Sequence, residues 1–452
     1  MHKKKIKYYE NSCVYGELLH ENDWFIFLDS CNDVGDYGRY DILSSNPRVK
    51  VTSNGNHINV IEDNLTSSFY DNPLCILEKY YKIRKFDTNL PFNNGMIGYF
   101  GYEAFNSIPG NNKDNNDSEV FPDIAVGFYD WAIVVDHEKK ETWITFLEKN
   151  SAVDNIITKF SSENLKVKYN HNYNFSDFKQ NISEEKYINN VLKIKEYISS
   201  GDCYQVNYSQ NFEVNYSGNA WDIYKDLRKI NPAPYSSFFK VSDQFIISSS
   251  PERFISIKDS LIETKPIKGT LKRLIDKNLD YEQINILKND EKNIAENLMI
   301  VDLLRNDLSK CCELHSVKVT KLFDIESYTS VHHMVSTVVG TLNPKTTSID
   351  ILKACFPGGS ITGAPKKRAM EIISELENRK RGIYCGSVGY FDANNNMDTN
   401  ICIRTITLTE NKISFAAGGG IVYDSDPLDE YHESLEKVSV FIKYFSNGEF
   451  KW

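Results

Sequence analysis

The chain has 452 residues, 41% of them apolar and 25% charged, the balance of a globular protein with a full core and not of a disordered chain. Sixty-two acidic against 52 basic residues give a net charge of −10, spread along the chain with no basic block to track a phosphate backbone, so nucleic acid is excluded as a partner. No apolar run follows the basic cluster Lys3 to Lys5 or approaches a membrane span, which predicts a cytoplasmic protein with no membrane partner. The nine cysteines include no CxxC pair, and only Cys311 and Cys312 are neighbours, so reduced thiols are expected and a zinc site is not.

In chain order, residues 1–165 alternate short apolar strands with polar turns, as at Trp24 to Leu28, Gly95 to Tyr99 and Asp130 to Val135. Asn111 to Ser118 reads as a loop. The Asn-rich stretch Tyr169 to Ser183 is the expected boundary between an N-terminal domain, 1–165, and a second domain, 180–452, the two sharing one large core. A helix capped by Ser183 presents Tyr187, Val191, Leu192 and Ile198 at helical spacing and closes at Gly201, before a strand from Cys203. The segments GMIGYF (95–100) and GSVGYF (386–391) echo one another, and two similar sheet strands explain them better than a duplication.

Unusual residues gather in the second half. The loop FPGGSITGAPK (356–366) runs into a helix with Pro365 at its first turn and Gly382 beyond its basic end, so main-chain N–H groups there can face an anion. Lys366 in that first turn opposes the helix dipole, a hint of a bound anion. Ala364 stands where a phosphate-binding lysine would be needed, which sets nucleotide hydrolysis aside. Glu296 shares a helix face with Ile300 and Leu303, so its carboxylate must be paired or bind a metal. Glu430, Glu433 and Lys437 fall at i, i+3 and i+7 on a last helix begun by Asp426 and Pro427, and oxygens from separate helices suit Mg²⁺. Lys268 is a surface charge or a nucleophile, and Glu252 and the pair His332 and His333 are acid–base candidates.

Taken in order, SSSPERF (248–254), PIKGT (266–270), AENLMIVDLLRNDL (295–308), VHHMVS (331–336), FPGGSITGAPKKRA (356–369), GSVGYF (386–391), CIRT (402–405) and GGGIVYDSDPLDEYHESLEKV (418–438) resemble the chorismate-utilising enzymes. The resemblance implies an α/β fold of packed antiparallel sheets with flanking helices, a cleft for chorismate, and Mg²⁺ held by Glu296 and Glu433 with Glu430 close by. It also implies that Arg404, Tyr384, Lys437, Thr362 and the segment around Gly419 and Gly420 orient the substrate, with Gln205, Thr270, Gly363, Ala364 and Lys366 lining the same site. Arg404 suits a carboxylate, since its guanidinium offers a bidentate fork.

Two positions sort the branches of that family. Water-adding branches place a basic lysine where Gln205 stands, and an amide takes no proton. Of the ammonia-adding branches, the anthranilate-forming one resembles PIAGT at residues 266–270, whereas the aminodeoxychorismate-forming one carries the lysine found here as Lys268. In that branch the lysine is a covalent nucleophile at C2, Glu252 and His333 serve the C4 substituent with exchangeable roles, and ammonia comes from a glutamine amidotransferase subunit. A catalytically silent, amino-acid-binding regulatory subunit is the alternative of a different class. The segments FLDS (27–30), GRYDIL (38–43) and NPAPY (231–235) resemble the family's tryptophan pocket. They imply L-tryptophan as an effector bound by Ser30, Tyr37, Arg39, Tyr40, Pro234 and Tyr235.

Overall fold

The computed structural model describes residues 1–32, 38–86, 88–105, 121–149, 151–161, 165–328 and 331–446. Tyr37 and the loop expected at Asn111 to Ser118 lie outside the described residues. Two twelve-stranded sheets carry the chain. The first runs, by strand neighbours, through His2–Ile6, Glu141–Phe146, Trp131–Asp136, Tyr40–Ser44, Ile26–Asp29, Tyr235–Val241, Gln244–Ser250, Thr405–Thr409, Lys412–Ile421, Gln205–Gly218 and Tyr173–Gln180, with Gly363–Ala364 added beside Gln205–Gly218. The second runs through Ile267–Lys272, Val331–Thr341, Leu261–Thr264, Arg253–Lys258, Met397–Asn400, Ser387–Asp392, Gly95–Phe100, Ile124–Tyr129, Val49–Asn54, His57–Glu62 and Leu65–Tyr70, with Lys318–Ser327 also on Val331–Thr341.

Each sheet is therefore part early chain and part late chain, joined at one seam. In the first sheet the seam is Ile26–Asp29 against Tyr235–Val241, and in the second it is Gly95–Phe100 against Ser387–Asp392. The two echoing segments are thus direct antiparallel neighbours. Residues Ile26, Ile42, Val134, Phe239 and Ile246 of the first sheet share a buried cluster with Ile97, Tyr99, Ala125, Tyr129 and Val388 of the second, which packs the sheets face to face. The outer face of the first sheet is covered by helices Glu184–Ser199, Ala220–Ile230, Lys366–Glu377 and Pro427–Lys437, through Tyr187, Trp221, Ile372 and Leu435. Helices Glu291–Ser309 and Ser348–Cys355 pack with the second sheet through Val301, Leu308 and Leu352.

Local expectations meet three differences. The helix Glu184–Ser199 starts at Ser183, whose hydroxyl accepts the Lys186 N–H at 3.3 Å, and Gly201 has φ +81°, but Leu192 is exposed. The polar stretch 169–183 contains the strand Tyr173–Gln180. It lies at a sheet edge, where polar side chains are compatible with pairing and blunt the edge against other chains. The helix from Lys366 stops at Glu377 because Asn378 adopts φ +47°, a left-handed terminus that asparagine tolerates, and so ends well before Gly382. All nine cysteines are free, seven of them buried.

Candidate active site

The strand Ile267–Lys272 pairs with Val331–Thr341, setting Lys268 opposite Met334 and Thr270 opposite His333, with a register shift between them. Gly269 makes that bulge. Its φ is +76°, and an added Cβ would lie 2.7 Å from Leu287 Cδ1 and 2.9 Å from Asn293 Cγ, so conformation and space both select glycine. Lys268 Nζ reaches Glu296 Oε2 at 3.3 Å. Thr270 Oγ1 and His333 Nδ1 share a hydrogen bond of 2.8 Å. Burial, helped by the nearby Arg404 charge, pushes the His333 imidazole down to about 4, so it is neutral near pH 7. His332 points elsewhere, between Ser327 Oγ at 2.7 Å and Asp280 Oδ1 at 3.0 Å.

Glu252 lies in the turn between the strands Gln244–Ser250 and Arg253–Lys258 and is buried. Its Oε1 accepts a hydrogen bond from Ser360 Oγ at 3.1 Å. Burial lifts its carboxyl to about 7, against the opposing pull of Ser360, the Lys268 charge and the Ile267 N–H. A group poised there can give and take a proton near neutrality.

The floor of the site is Gly419 and Gly420. A Cβ at Gly419 would stand 3.0 Å from Glu430 Oε2, 3.4 Å from Lys437 Nζ and 3.8 Å from Glu433 Oε1. One at Gly420 would collide with the Gln205 amide and stand 3.4 Å from Lys268 Nζ. These glycines thus hold open a hollow where the first sheet faces the bulged strand of the second. Each of the three carboxylates is turned to a lysine: Glu296 to Lys268, Glu430 to Lys292 at 3.2 Å, and Glu433 to Lys437 at 2.7 Å. Lys437, followed by Lys292 and Lys268, holds the exposed Glu433 carboxyl below its usual range. In this conformation no three acidic, His or Cys side chains among the described residues converge on one point. The donor set still fits Mg²⁺, a hard cation that takes one or two carboxylates and completes its shell with substrate and water. Glu430 Oε2 and Glu433 Oε1 both border the Gly419 hollow, and Glu296 enters from the opposite helix.

Three further residues carry side-chain groups with no protein partner among the described residues. Both amide atoms of the fully buried Gln205 are without a hydrogen bond, as is Asn207 Oδ1 two residues on, on the same strand face. Such orphaned groups cost free energy unless a ligand satisfies them. Arg404, with φ +49°, pairs with no carboxylate among the described residues, and burial alone lowers its pKa. It lines one pocket with Asn231, Glu436 and Lys437. A half-buried guanidinium with no carboxylate beside it is a receptor for an anion.

The remaining expected site residues have other duties. Lys366 does not present its charge to a ligand: Nζ is held by Asp307 Oδ2 at 2.7 Å and the Cys355 carbonyl at 2.8 Å, and buried Asp307 explains why a lysine is tolerated against the helix dipole. Thr362 Oγ1 donates to the Gly358 carbonyl at 2.9 Å. Gly363 and Ala364 pair with Val206 and Gln205, and Tyr384 is buried. Ser360 and Lys292 were not singled out, although Ser360 sits within the 356–369 segment and Lys292 lies one helical turn before Glu296.

At the seam of the first sheet, strand pairing brings Ser30, Tyr40, Pro234 and Tyr235 to neighbouring strand ends. The Ser30 N–H and hydroxyl both donate to Asp41 Oδ1, at 2.8 and 2.7 Å. Asp41 in turn meets His137 Nε2 at 2.7 Å. Arg39 stacks on Tyr40 with its guanidinium 4.7 Å from the ring centre, and pairs with Asp136 at 3.1 Å.

Comparison with known proteins places this geometry in context. The family model described as chorismate binding enzyme matches residues 26–443. Aminodeoxychorismate synthase component 1 of Escherichia coli (strain K12) is 41% identical over 436 residues, covering 95% of each chain. Anthranilate synthase component 1 of Acetivibrio thermocellus is 38% identical, over 94% of this chain and 90% of that one. The crystal structure of anthranilate synthase component I from Streptococcus pneumoniae TIGR4 superposes with a TM-score of 0.77 at 32% identity, covering 88% of this chain and 91% of that one.

Proposed function

We propose, from the premise that this chain belongs to the chorismate binding enzyme family, that it aminates chorismate at C4. The product, 4-amino-4-deoxychorismate, keeps its enolpyruvyl group and feeds p-aminobenzoate and folate synthesis. The observation that carries the reading is Lys268, an amine projecting from a glycine bulge into a buried site that also holds Glu252. Gln205 supplies no base for adding water, and an anthranilate-forming site has no use for an amine at residue 268.

Chorismate is a dicarboxylate. Arg404 and Lys437 supply positive charge for its carboxylates, and the orphaned Gln205 and Asn207 amides supply hydrogen bonds. Glu296 and Glu433, with Glu430 beside them, would hold Mg²⁺, which when bound supplies a positive charge to fix and polarise the ring carboxylate. The Lys268 amine, in its neutral form, forms a bond to C2 as the C4–O bond breaks, and Glu252 gives its proton to the departing hydroxyl, which leaves as water. Ammonia then attacks C4, the C2–N bond breaks to return the neutral amine, and Glu252 takes the surplus proton. Chorismate and ammonia are thereby exchanged for product and water. His333, neutral, serves as a hydrogen-bonding group near C4, which separates its part from that of Glu252.

Ammonia comes from a partner glutamine amidotransferase, consistent with the "component 1" naming of the relatives. No described helix is long and apolar enough to cross a membrane, in keeping with a cytoplasmic place of action. The seam of the first sheet is read as a site for L-tryptophan.

The deciding experiment is mass spectrometry of the products from chorismate, Mg²⁺ and saturating ammonium. Aminodeoxychorismate is expected from the wild type, with Lys268→Ala losing most activity. Anthranilate and pyruvate instead would establish the anthranilate reaction, and no consumption of chorismate would leave the regulatory-subunit reading.

A further inference from the structure

Below the substrate hollow lies a buried ion pair that the chemistry above does not use. Arg381 and Glu377 are four residues apart and meet through Nη2 and Oε1 at 2.7 Å, with 1% and 0% of their side chains exposed. Such a pair is weak evidence for stability, because the cost of desolvating both charges offsets their attraction. Glu377 Oε2 also meets Arg379 Nη2 at 3.4 Å, and the pair's other side-chain hydrogen bonds reach segments that carry the site. Arg381 Nη1 donates to the Ile361 carbonyl at 2.9 Å and Nη2 to the Asn207 carbonyl at 2.7 Å. Its guanidinium lies 5.7 Å from the Tyr384 ring centre, with Tyr102 at 4.8 Å on the same cation. Glu377 Oε1 accepts from the Ser209 N–H at 2.9 Å and the Ser209 hydroxyl at 2.8 Å. The Arg381 and Gly382 N–H groups are held in turn by Glu103, at 2.8 and 3.0 Å.

We infer that Arg381, paired with Glu377, is a positioning residue that fixes the Ser360 turn beneath Glu252 and the strand bearing Gln205 and Asn207 in one rigid relation. Apart from the Tyr384 ring, Arg381 touches none of the groups that would meet substrate. It acts through two carbonyls: that of Ile361, next to the residue whose hydroxyl holds Glu252, and that of Asn207, whose side chain and that of Gln205 face the hollow. A planar guanidinium spans two carbonyls and a carboxylate at once, which an ammonium on a flexible stem does not. The inference rests on the reading of Glu252 as the proton-transfer group. Glu252 itself faces Ser360, the Ile267 N–H and one charge, that of Lys268.

The test uses the full chain in two variants, Arg381→Lys and Ser360→Ala, and two readouts. The first, infrared titration of the Glu252 carboxyl with Glu252→Gln as the blank, needs no turnover. Since the Ser360 hydroxyl favours the carboxylate form, both variants should move the midpoint upward from that of the wild type. The second is steady-state kinetics with chorismate and ammonium, where Arg381→Lys should lower kcat by about 100-fold, the scale of a 1 Å misplacement. A shift in Ser360→Ala without one in Arg381→Lys would overturn the inference, as would no shift in either. Wild-type protein that titrates as described but leaves chorismate intact would count against the proposed reaction alone.

Discussion

Glu252 shows how one buried carboxyl links stability to chemistry. Its folded-state value of about 7 lies above the ordinary 4.5, so the folded chain binds the extra proton across that interval. Stability is then undiminished below pH 4.5 and falls as pH rises towards 7. Glu252→Gln should flatten that fall and stabilise the protein at pH 8 by up to about 3 kcal/mol, while abolishing turnover. Urea unfolding of both proteins at pH 4.5 and 8 checks this, and equal pH dependence would show that burial does not hold the proton. Glu433 carries the complementary prediction: calorimetric titration with Mg²⁺ and chorismate should show weaker metal binding in Glu433→Gln. An unchanged isotherm would remove Glu433 from the metal site. Lys268, Glu252 and the three glutamates could be singled out because each is a charged residue within an apolar or turn-forming segment, and the fold sets Lys268 against Glu296 at 3.3 Å. The pairing of Lys366 with Asp307 was not legible, since Asp307 is 59 residues away in the chain and no local pattern announces it.

At the scale of elements, caps and turns followed the local sequence closely. Asp426 Oδ1 accepts the N–H groups of Leu428 and Asp429 at 2.9 and 3.1 Å, starting the helix that carries Glu430 and Glu433 where the Asp-Pro signal expects it. The strand Tyr173–Gln180 was not legible, because its pairing with Gln205–Gly218 decides its conformation and its own residues are polar. The strand ends at Ser30, Tyr40 and Tyr235 are neighbours, and their aromatic and hydroxyl side chains are residue types that suit an amphipathic amino acid. Calorimetry with L-tryptophan should give a binding isotherm for the wild type that is lost in Ser30→Leu. Equal, negligible heats in both would leave these residues as a strand-to-strand contact.

At the scale of the whole molecule, alternation of apolar and polar residues announced sheets and helices, but not which strand meets which. That information is non-local: Gly95–Phe100 pairs with a strand whose last residue is Asp392, and nothing in either segment names the other except their likeness. The same pairing has a cost during synthesis. Every residue of Gly95–Phe100 is buried in the finished protein, yet its free edge waits until nearly the whole chain has left the ribosome. An unpaired apolar edge is a template for another chain. A chain truncated at residue 380 should therefore be recovered in the insoluble fraction and the full chain in the soluble one; a soluble, monomeric truncation would mean that the early half closes on itself. The late pairing leaves that edge open for most of the translation time, so its protection by chaperones is expected to govern the yield in a cell alongside the stability of the finished fold.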